Sequence, residues 1–362
     1  MRVLYLMDVI GGGTGNHVLA LVSRMEDVEP IFATTARTVH SRLAKRQQEF
    51  YLVPPKKRFE QPVVHQARIL FDLHRHARGR NVEVIHSYFF WSIFFGRILK
   101  RWIGARLLVE NREDLGFQWG PFERTLLRAG SRAPDRVICV AEAVREKAVR
   151  SEKIARAKTV VVPNGFDPDE FTGGGDLRAE LGIPPDAPVV GAVANFRTVK
   201  RLDRLIRASA ALAAKVPNVR VVLVGRGTEE GVLRSLAAEL GLEATVLFAG
   251  YRTEMATVYR TFDATVLTSE SEGCSITILE SFYARLPVVV TDVGGNRELV
   301  KEGETGFLVP EWDEAIFVDR VARLLADKEL RARMGAKARA LVLERHSFGA
   351  VAEAYRRIYA GE

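Results

Sequence analysis

The chain has 362 residues, 47% apolar and 27% charged, the balance of an ordinary soluble globular protein long enough for two domains with separate cores. Two cysteines far apart in unlike contexts, Cys139 and Cys274, suggest neither a disulfide framework nor a zinc site, and no apolar run approaches the ~20 residues of a membrane span. The N-terminus enters a strand with no signal peptide, so a reducing, cytoplasmic setting is expected. The net charge of +8 is uneven: residues 1–170 carry 28 Lys/Arg against 19 Asp/Glu, whereas 171–362 carry 25 against 26. That basic excess suits an anionic surface or substrate, with an Arg-rich composition as the plainer alternative.

In chain order, a strand over 3–7 runs into the glycine-rich 11–16 and an apolar-periodic helix to about 25. This turn lets a ligand approach the backbone, but it lacks the third glycine of a dinucleotide fingerprint and the Gly-Lys-Ser/Thr ending of a P-loop. Residues 29–80 alternate strand and helix, with a helix expected over 61–78 after the exposed basic loop Lys56-Lys57-Arg58. His65, His74 and His76 read as solvated rather than metal-binding. A strand over 82–85 ends at His86-Ser87-Tyr88, and residues 89–104 (FFWSIFFGRILKRWIG) form an aromatic helix with Arg97, Lys100 and Arg101 at its end. It suits either a membrane interface or packing on the first sheet. A strand over 107–109 ends in a charged run, 110–117, where α/β proteins place ligand groups. Arg112 and Asp114 are ligand contacts on that reading, or an ion pair in a loop.

A buried strand over 136–140, a helix from Glu142 and a strand over 160–162 lead to the turn Pro163-Asn164-Gly165. Asp167-Pro168-Asp169 has the spacing of a metal motif, but its turn-rich context favours structural duty. The glycines of 172–175 and Pro184-Pro185 bracket the expected hinge. A second domain opens with a strand over 189–194, followed by Asn195, Arg197, Lys200 and Arg201 before a helix from Leu202. Basic groups leaving a buried strand are placed to neutralise a diphosphate. Further strands are expected at 219–224 and 246–248, the latter leading to Tyr251 and Arg252.

The most informative stretch is 268–300. After a strand over 264–267 comes a small-residue turn holding Glu272, Gly273, Cys274 and Ser275, then a helix over 276–284 carrying Glu280. Pro287 ends that helix, and Val288-Val289-Val290 is a fully buried strand before a second glycine turn. Two helix N-termini thus open at one sheet edge, a setting suited to phosphate. The two acids have seven residues between them, so both can face one crevice. Three helical patterns, about 313–327, 329–344 and 348–359, close the chain.

Ser-Glu-Gly, the spacing to Glu280, Leu-Pro-Val-Val-Val and Asp-Val-Gly-Gly-Asn together resemble the donor-binding signature of family 4 retaining glycosyltransferases of the GT-B fold, similar to envelope and exopolysaccharide members. The likeness implies two Rossmann-like doubly wound domains facing a cleft. They would be an acceptor domain over 1–170, with the last helix (about 346–362) packing back on it, and a donor domain over 171–345. It implies a hexosyltransferase using a UDP- or GDP-linked sugar and a saccharide or lipid-linked acceptor, without metal or other cofactor and without nucleic acid. Lys200 and Arg197 would neutralise the departing diphosphate with N–H groups near Gly12, Gly13, Ser275 and Ile276. Glu280 would hold the ribose hydroxyls and Glu272 a hydroxyl of the donor sugar, with Gly273 and Cys274 lining its pocket. Asn195 stands where the family usually has Arg, and Arg252 borders the base. His86, Tyr88, Arg112 and Asp114 would meet the acceptor, although Tyr88 replaces the usual second polar group of the His-x-His or His-x-Asp pair. The basic aromatic helix implies contact with an anionic surface on the inner face of the membrane. The alternatives are a nucleotide-sugar 2-epimerase of the same fold and a non-catalytic nucleotide-sugar binder.

Overall fold

The computed structural model describes residues 1–8, 12–34, 50–52, 61–116 and 119–362. Gly11, the Lys56-Lys57-Arg58 loop and Phe117 lie outside these residues. The chain divides into two compact units, Met1–Gly165 with Phe348–Glu362, and Phe166–Ser347.

The first unit is built on seven strands: β1 (Arg2–Met7), β2 (Glu29–Thr34), β3 (Phe50–Leu52), β4 (Val84–Tyr88), β5 (Leu107–Arg112), β6 (Arg136–Cys139) and β7 (Thr159–Val161). They pair in the order β3-β2-β1-β4-β5-β6-β7, all parallel. The order reverses between β1 and β4, and the carboxyl ends there form the crevice in which such sheets bind ligands. A parallel sheet needs cover on both faces. One face is covered by helix Gly12–Val22 and the final helix Phe348–Ala360, whose Val351, Tyr355 and Tyr359 pack with Val3, Tyr5 and Val18. On the other, Ile69 and Leu73 of helix Pro62–Ala77 and Phe95 and Leu99 of helix Phe90–Ile103 pack on Leu4, Leu6 and Ile85.

The second unit has β8 (Val189–Val193), β9 (Arg220–Val224), β10 (Val246–Gly250), β11 (Ala264–Leu267), β12 (Val288–Thr291) and β13 (Gly306–Val309), parallel in the order β10-β9-β8-β11-β12-β13. Its reversal lies between β8 and β11. Val288, Val289 and Val290 are each fully buried, as a strand covered on both faces requires. Both sheets therefore have the doubly wound α/β form expected from the alternation of strands and helices.

Three local expectations change. β4 begins later than expected and its pairing runs through His86, Ser87 and Tyr88, all buried within the strand. β5 extends to Arg112, taking Glu110 and Asn111 with it. The glycine run after Thr172 lies inside the second unit, where the Thr172 carbonyl accepts from Ala256 N–H at 3.0 Å and that of Gly173 from Arg260 at 2.9 Å. The chain passes between units at Gly165–Phe166 and Ser347–Phe348 instead.

Candidate functional site

In the second unit the loops after β8 and β11 are laced together at the sheet's reversal. Phe196, 1% exposed, anchors the first loop, and its N–H donates to the Arg226 carbonyl at 2.9 Å. Gly225 holds φ at 135°, and a Cβ there would fall on the Ala194 carbonyl, so the backbone can pass this close only with glycine. One 3₁₀ turn, Thr198–Lys200, then presents Lys200. Glu270 N–H donates to the Val199 carbonyl at 2.8 Å, and Thr268 Oγ1 donates to the carbonyls of Lys200 at 3.2 Å and Arg201 at 2.9 Å.

This lacing brings Lys200 Nζ to 2.7 and 2.9 Å from the two Glu272 carboxylate oxygens. Ser269 Oγ donates to the same carboxylate at 2.6 Å. Glu272 keeps 8% side-chain exposure and Lys200 25%, so the pair is formed yet reachable from solvent. It lines a crevice with Ala194, Thr268 and Ser269. Gly273, Cys274 and Ser275 follow as a buried turn into helix Ile276–Tyr283, and Thr277 Oγ1 ties that helix to the Val193 carbonyl of β8 at 3.0 Å. Glu280, on the helix's second turn, accepts a hydrogen bond from Tyr259 at 2.8 Å. Asn195 and Arg197 are exposed in the loop after β8. Arg252 is engaged with Glu180 through both terminal guanidinium nitrogens and with the Ala249 carbonyl through Nε at 2.8 Å. Asp167 Oδ1 caps the short turn Pro168–Glu170 by accepting from Asp169 N–H at 3.1 Å, which is structural duty.

The first unit treats its expected site residues differently. Gly12 and Gly13 form the first turn of helix Gly12–Val22. His86 is fully buried among Tyr5, Tyr88, Tyr355 and Tyr359, with Nδ1 2.7 Å from the Tyr359 hydroxyl. Burial pushes its pKa down to about 3, with Asn111 a smaller opposing influence, so the imidazole is neutral. Tyr88 is likewise fully buried. Arg112, 2% exposed, is bound to Glu152 at 2.7 Å and Glu110 at 2.9 Å, and Glu110 also holds Arg97 at 2.7 Å. Burial alone would lower the Arg112 pKa, but the two carboxylates outweigh it and raise it. Of the two readings offered for Arg112, the geometry is that of an ion pair, inside the strand rather than in a loop. Asp114 accepts from Gly116 N–H at 2.6 Å.

Two further acids lie at this edge, Asp8 and, within the charged run 110–117, Glu113. Asp8, just after β1, accepts from Trp91 N–H at 2.8 Å and from Ser92 N–H and Oγ at 2.7 and 2.6 Å, capping helix Phe90–Ile103 from another strand. Burial still lifts its pKa to about 6 against those hydrogen bonds. Glu113, beside Asn111 and 3.5 Å from Thr14 Oγ1, is lifted to about 7, again by burial. The available signal was position, an acid at the carboxyl end of a strand in each case. The basic end of the aromatic helix turns partly inward: Arg97 meets Glu110, Lys100 meets Asp135 at 2.5 Å, and Arg101 and Trp102 face solvent. His76 stacks on Tyr51, His74 meets Trp102 edge-on and His65 pairs with Arg68, so these histidines are packed rather than simply solvated. Among the described residues no helix is long and apolar enough to cross a membrane, and no three His, Cys, Asp or Glu side chains converge.

The model for Glycosyltransferase Family 4 matches residues 11–170, and that for Glycosyl transferases group 1 matches residues 175–341. N-acetyl-alpha-D-glucosaminyl L-malate synthase of Bacillus anthracis is 32% identical over 183 residues, 51% of this chain and 48% of its own length. The lipopolysaccharide core biosynthesis glycosyltransferase LpsE of Rhizobium meliloti is 32% identical over 196 residues, 53% of this chain and 56% of its own. The chain spans about half the length of the curated relatives it matches. Among solved structures, HepE of Anabaena in complex with UDP-glucose superposes with a TM-score of 0.87 at 22% identity over 100% of both chains. Sucrose-phosphate synthase from Thermosynechococcus elongatus gives 0.84 at 21%, also over 100% of both. At such identities the likeness establishes the fold, which is GT-B. With one family model on each half and the Glu272–Glu280 stretch inside the second, the chain belongs to the group 1, family 4 glycosyltransferases.

Proposed function

We propose that the chain is a retaining hexosyltransferase, moving a sugar from a UDP- or GDP-linked donor to a saccharide or lipid-linked acceptor in envelope or exopolysaccharide synthesis. The observation that carries this reading is the Lys200–Glu272 pair, formed but accessible where the order of the second sheet reverses. A diphosphate leaving a sugar carbon needs its growing charge met at once, and preorganised donors do this without reorganisation. Lys200 has three N–H donors and Glu272 takes two of its hydrogen bonds, so the ammonium can bridge the acid and a phosphate oxygen. Arg197 and the N–H groups of Ser275 and Ile276 at the helix start add to it. Glu272, oriented by Lys200 and Ser269, receives a donor-sugar hydroxyl. Glu280 receives the ribose hydroxyls. The acceptor hydroxyl attacks from the face the diphosphate leaves, giving its proton to the departing phosphate oxygen as the sugar–phosphate C–O bond breaks, and the configuration is retained. Charge compensation by these groups needs no metal ion.

HepE was crystallised with UDP-glucose and LpsE is named for lipopolysaccharide core synthesis, which supports the donor class and the envelope setting. On the first unit, exposed Phe71 and Trp102, with ring centroids 5.6 Å apart, lie on helices that also expose Arg75 and Arg101. This surface suits a peripheral, cytoplasmic-face contact with anionic lipid.

Thermal shift with UDP-, GDP- and ADP-sugars tests the donor, because a bound ligand stabilises the fold. Release of the nucleoside diphosphate, unchanged by EDTA, identifies a metal-independent transferase. Stabilisation by none of the three classes overturns the reading. Failure to co-sediment with anionic liposomes at low salt removes the membrane contact alone.

A further inference from the structure

Glu280 is held by a residue that no part of the reading above uses. Tyr259, on helix Met255–Arg260, donates its hydroxyl to Glu280 Oε2 at 2.8 Å, with the Thr277 carbonyl 3.4 Å away. Tyr259 is 1% exposed, and burial, reinforced by the Glu280 charge, raises its pKa well above that of a free phenol, so it remains a donor at any working pH.

Its ring is held on two sides. It stacks on Phe171 at 5.8 Å and 26°, and meets Phe262 edge-on at 5.9 Å. Phe171 in turn packs on Phe166 and Tyr283, and Phe166 bridges to Ser347. A phenol locked this way cannot follow a moving carboxylate, so the carboxylate is fixed by the phenol. A helix-borne glutamate has three rotatable bonds, and a rigid partner that narrows them lowers the ordering cost a ligand must bear.

We infer that Tyr259 is a positioning residue for Glu280, and that through it the site selects a ribose carrying both hydroxyls over its 2′-deoxy counterpart. This rests on the reading of Glu280 as the ribose acid. Two neighbouring hydroxyls can share one carboxylate only if its oxygens point in a set direction. A fixed carboxylate also discriminates more sharply, because it cannot swing away when one hydroxyl is missing and is left with an unanswered lone pair.

The test is isothermal titration of the full chain with UDP and 2′-deoxy-UDP, or with the guanosine or adenosine pair if that base binds tighter. The proteins are wild type, Tyr259→Phe, Glu280→Gln and the double variant. Tyr259→Phe keeps the stacked ring and removes only the hydroxyl. Wild type should prefer the ribonucleotide by about 10–100-fold, the range for a hydrogen bond to a charged group. Tyr259→Phe should reduce that preference to within about threefold, by weakening the ribonucleotide and sparing the deoxy form. In the Glu280→Gln background the substitution should add little, since the two act as one unit. Phe171→Leu, which loosens the stack but keeps the hydroxyl, should move the ratio the same way by less. A full preference in Tyr259→Phe, or an equal loss for both nucleotides, overturns the proposal. Wild type that binds UDP without distinguishing the deoxy form overturns it while leaving the nucleotide-sugar reading intact. Wild type that binds none of UDP, GDP and ADP overturns both.

Discussion

The two sheets share a topology and treat charge at their carboxyl ends in opposite ways. At β5 of the first unit, Arg97, Glu110, Arg112 and Glu152 close on one another, with side chains between 0% and 8% exposed, and the nearby imidazole of His86 is buried and neutral. At β8 and β11 of the second, Lys200 and Glu272 pair but keep 25% and 8% exposure at a crevice mouth. A charged residue at a strand's end is therefore no guide to a ligand by itself. What decides is whether its partners consume every direction it can bond in.

Removing a member of the closed cluster should have the largest effect. Arg112→Ala leaves Glu110 with Arg97 and Glu152 without its main cation, and breaking such a buried pair costs about 3–5 kcal/mol. Because the Arg112 guanidinium lies over the Trp119 ring at 5.8 Å, urea unfolding followed by tryptophan fluorescence reports the change. A folded Arg112→Ala protein of ordinary stability with a raised acceptor KM would reverse the assignment and make the arginine an acceptor contact. The open pair should respond in activity instead. Lys200→Ala is expected to lower kcat about 10²–10³-fold with little change in melting temperature, the usual effect of losing one charge-stabilising donor. Glu280→Ala should instead raise the nucleotide Kd. Equal, small effects of the two would dissolve the difference in roles.

The second unit was the more legible in sequence. Strands expected at 189–194, 264–267 and 288–290 match β8, β11 and β12 within a residue, and the helix over 276–284 is Ile276–Tyr283. Those strands are unbroken runs without a charged residue, and Pro188 and Pro287 stand just before β8 and β12, so local pattern suffices. The first unit hid its site residues behind distant partners. His86 reads as the polar end of a strand because Tyr359, whose hydroxyl meets its Nδ1, is 273 residues away. Arg112 reads as a ligand contact or a loop ion pair because Glu152, which buries it, is 40 residues on. No period of 2 or 3.6 carries that information. The partner of Arg252 was hidden for a similar reason, since Glu180 is 72 residues before it.

A smaller effect sharpens the contrast through pH. His17 Nε2 accepts the Gly165 N–H at 3.1 Å, and its ring lies 5.0 Å from Phe348, the residues at which the first unit's two segments end. Burial lowers its pKa to about 4, so the folded state holds it neutral while the unfolded chain protonates it near 6.5. Between those values the unfolded state binds more protons, and stability falls as pH drops from about 6.5 toward 4. Protonation would also place a second N–H against that of Gly165. His17→Gln should be less stable than wild type at pH 7.5, and the gap should shrink by up to about 2 kcal/mol at pH 4.5. Urea melts at the two pH values measure it. A gap that stays constant would mean the imidazole is protonated equally in both states.

The smallest expected effect falls on Arg252, and it separates two roles that look alike in sequence. As an ion-pair member bonded to Glu180 and the Ala249 carbonyl, it is partly exposed and screened, and pairs of that kind contribute little. Arg252→Ala should then shift the melting temperature by no more than about a degree or two and leave the affinity for every nucleoside diphosphate unchanged. As a base contact it would do the reverse, sparing stability while weakening one nucleotide more than the others. With Nε on the Ala249 carbonyl and both terminal nitrogens on Glu180, no paired edge of the guanidinium is left for a base to take bidentately. A bidentate base contact, read as a base-selective loss in Arg252→Ala, would therefore require the Glu180 pair to open on binding, and Glu180→Ala should then tighten that same nucleotide.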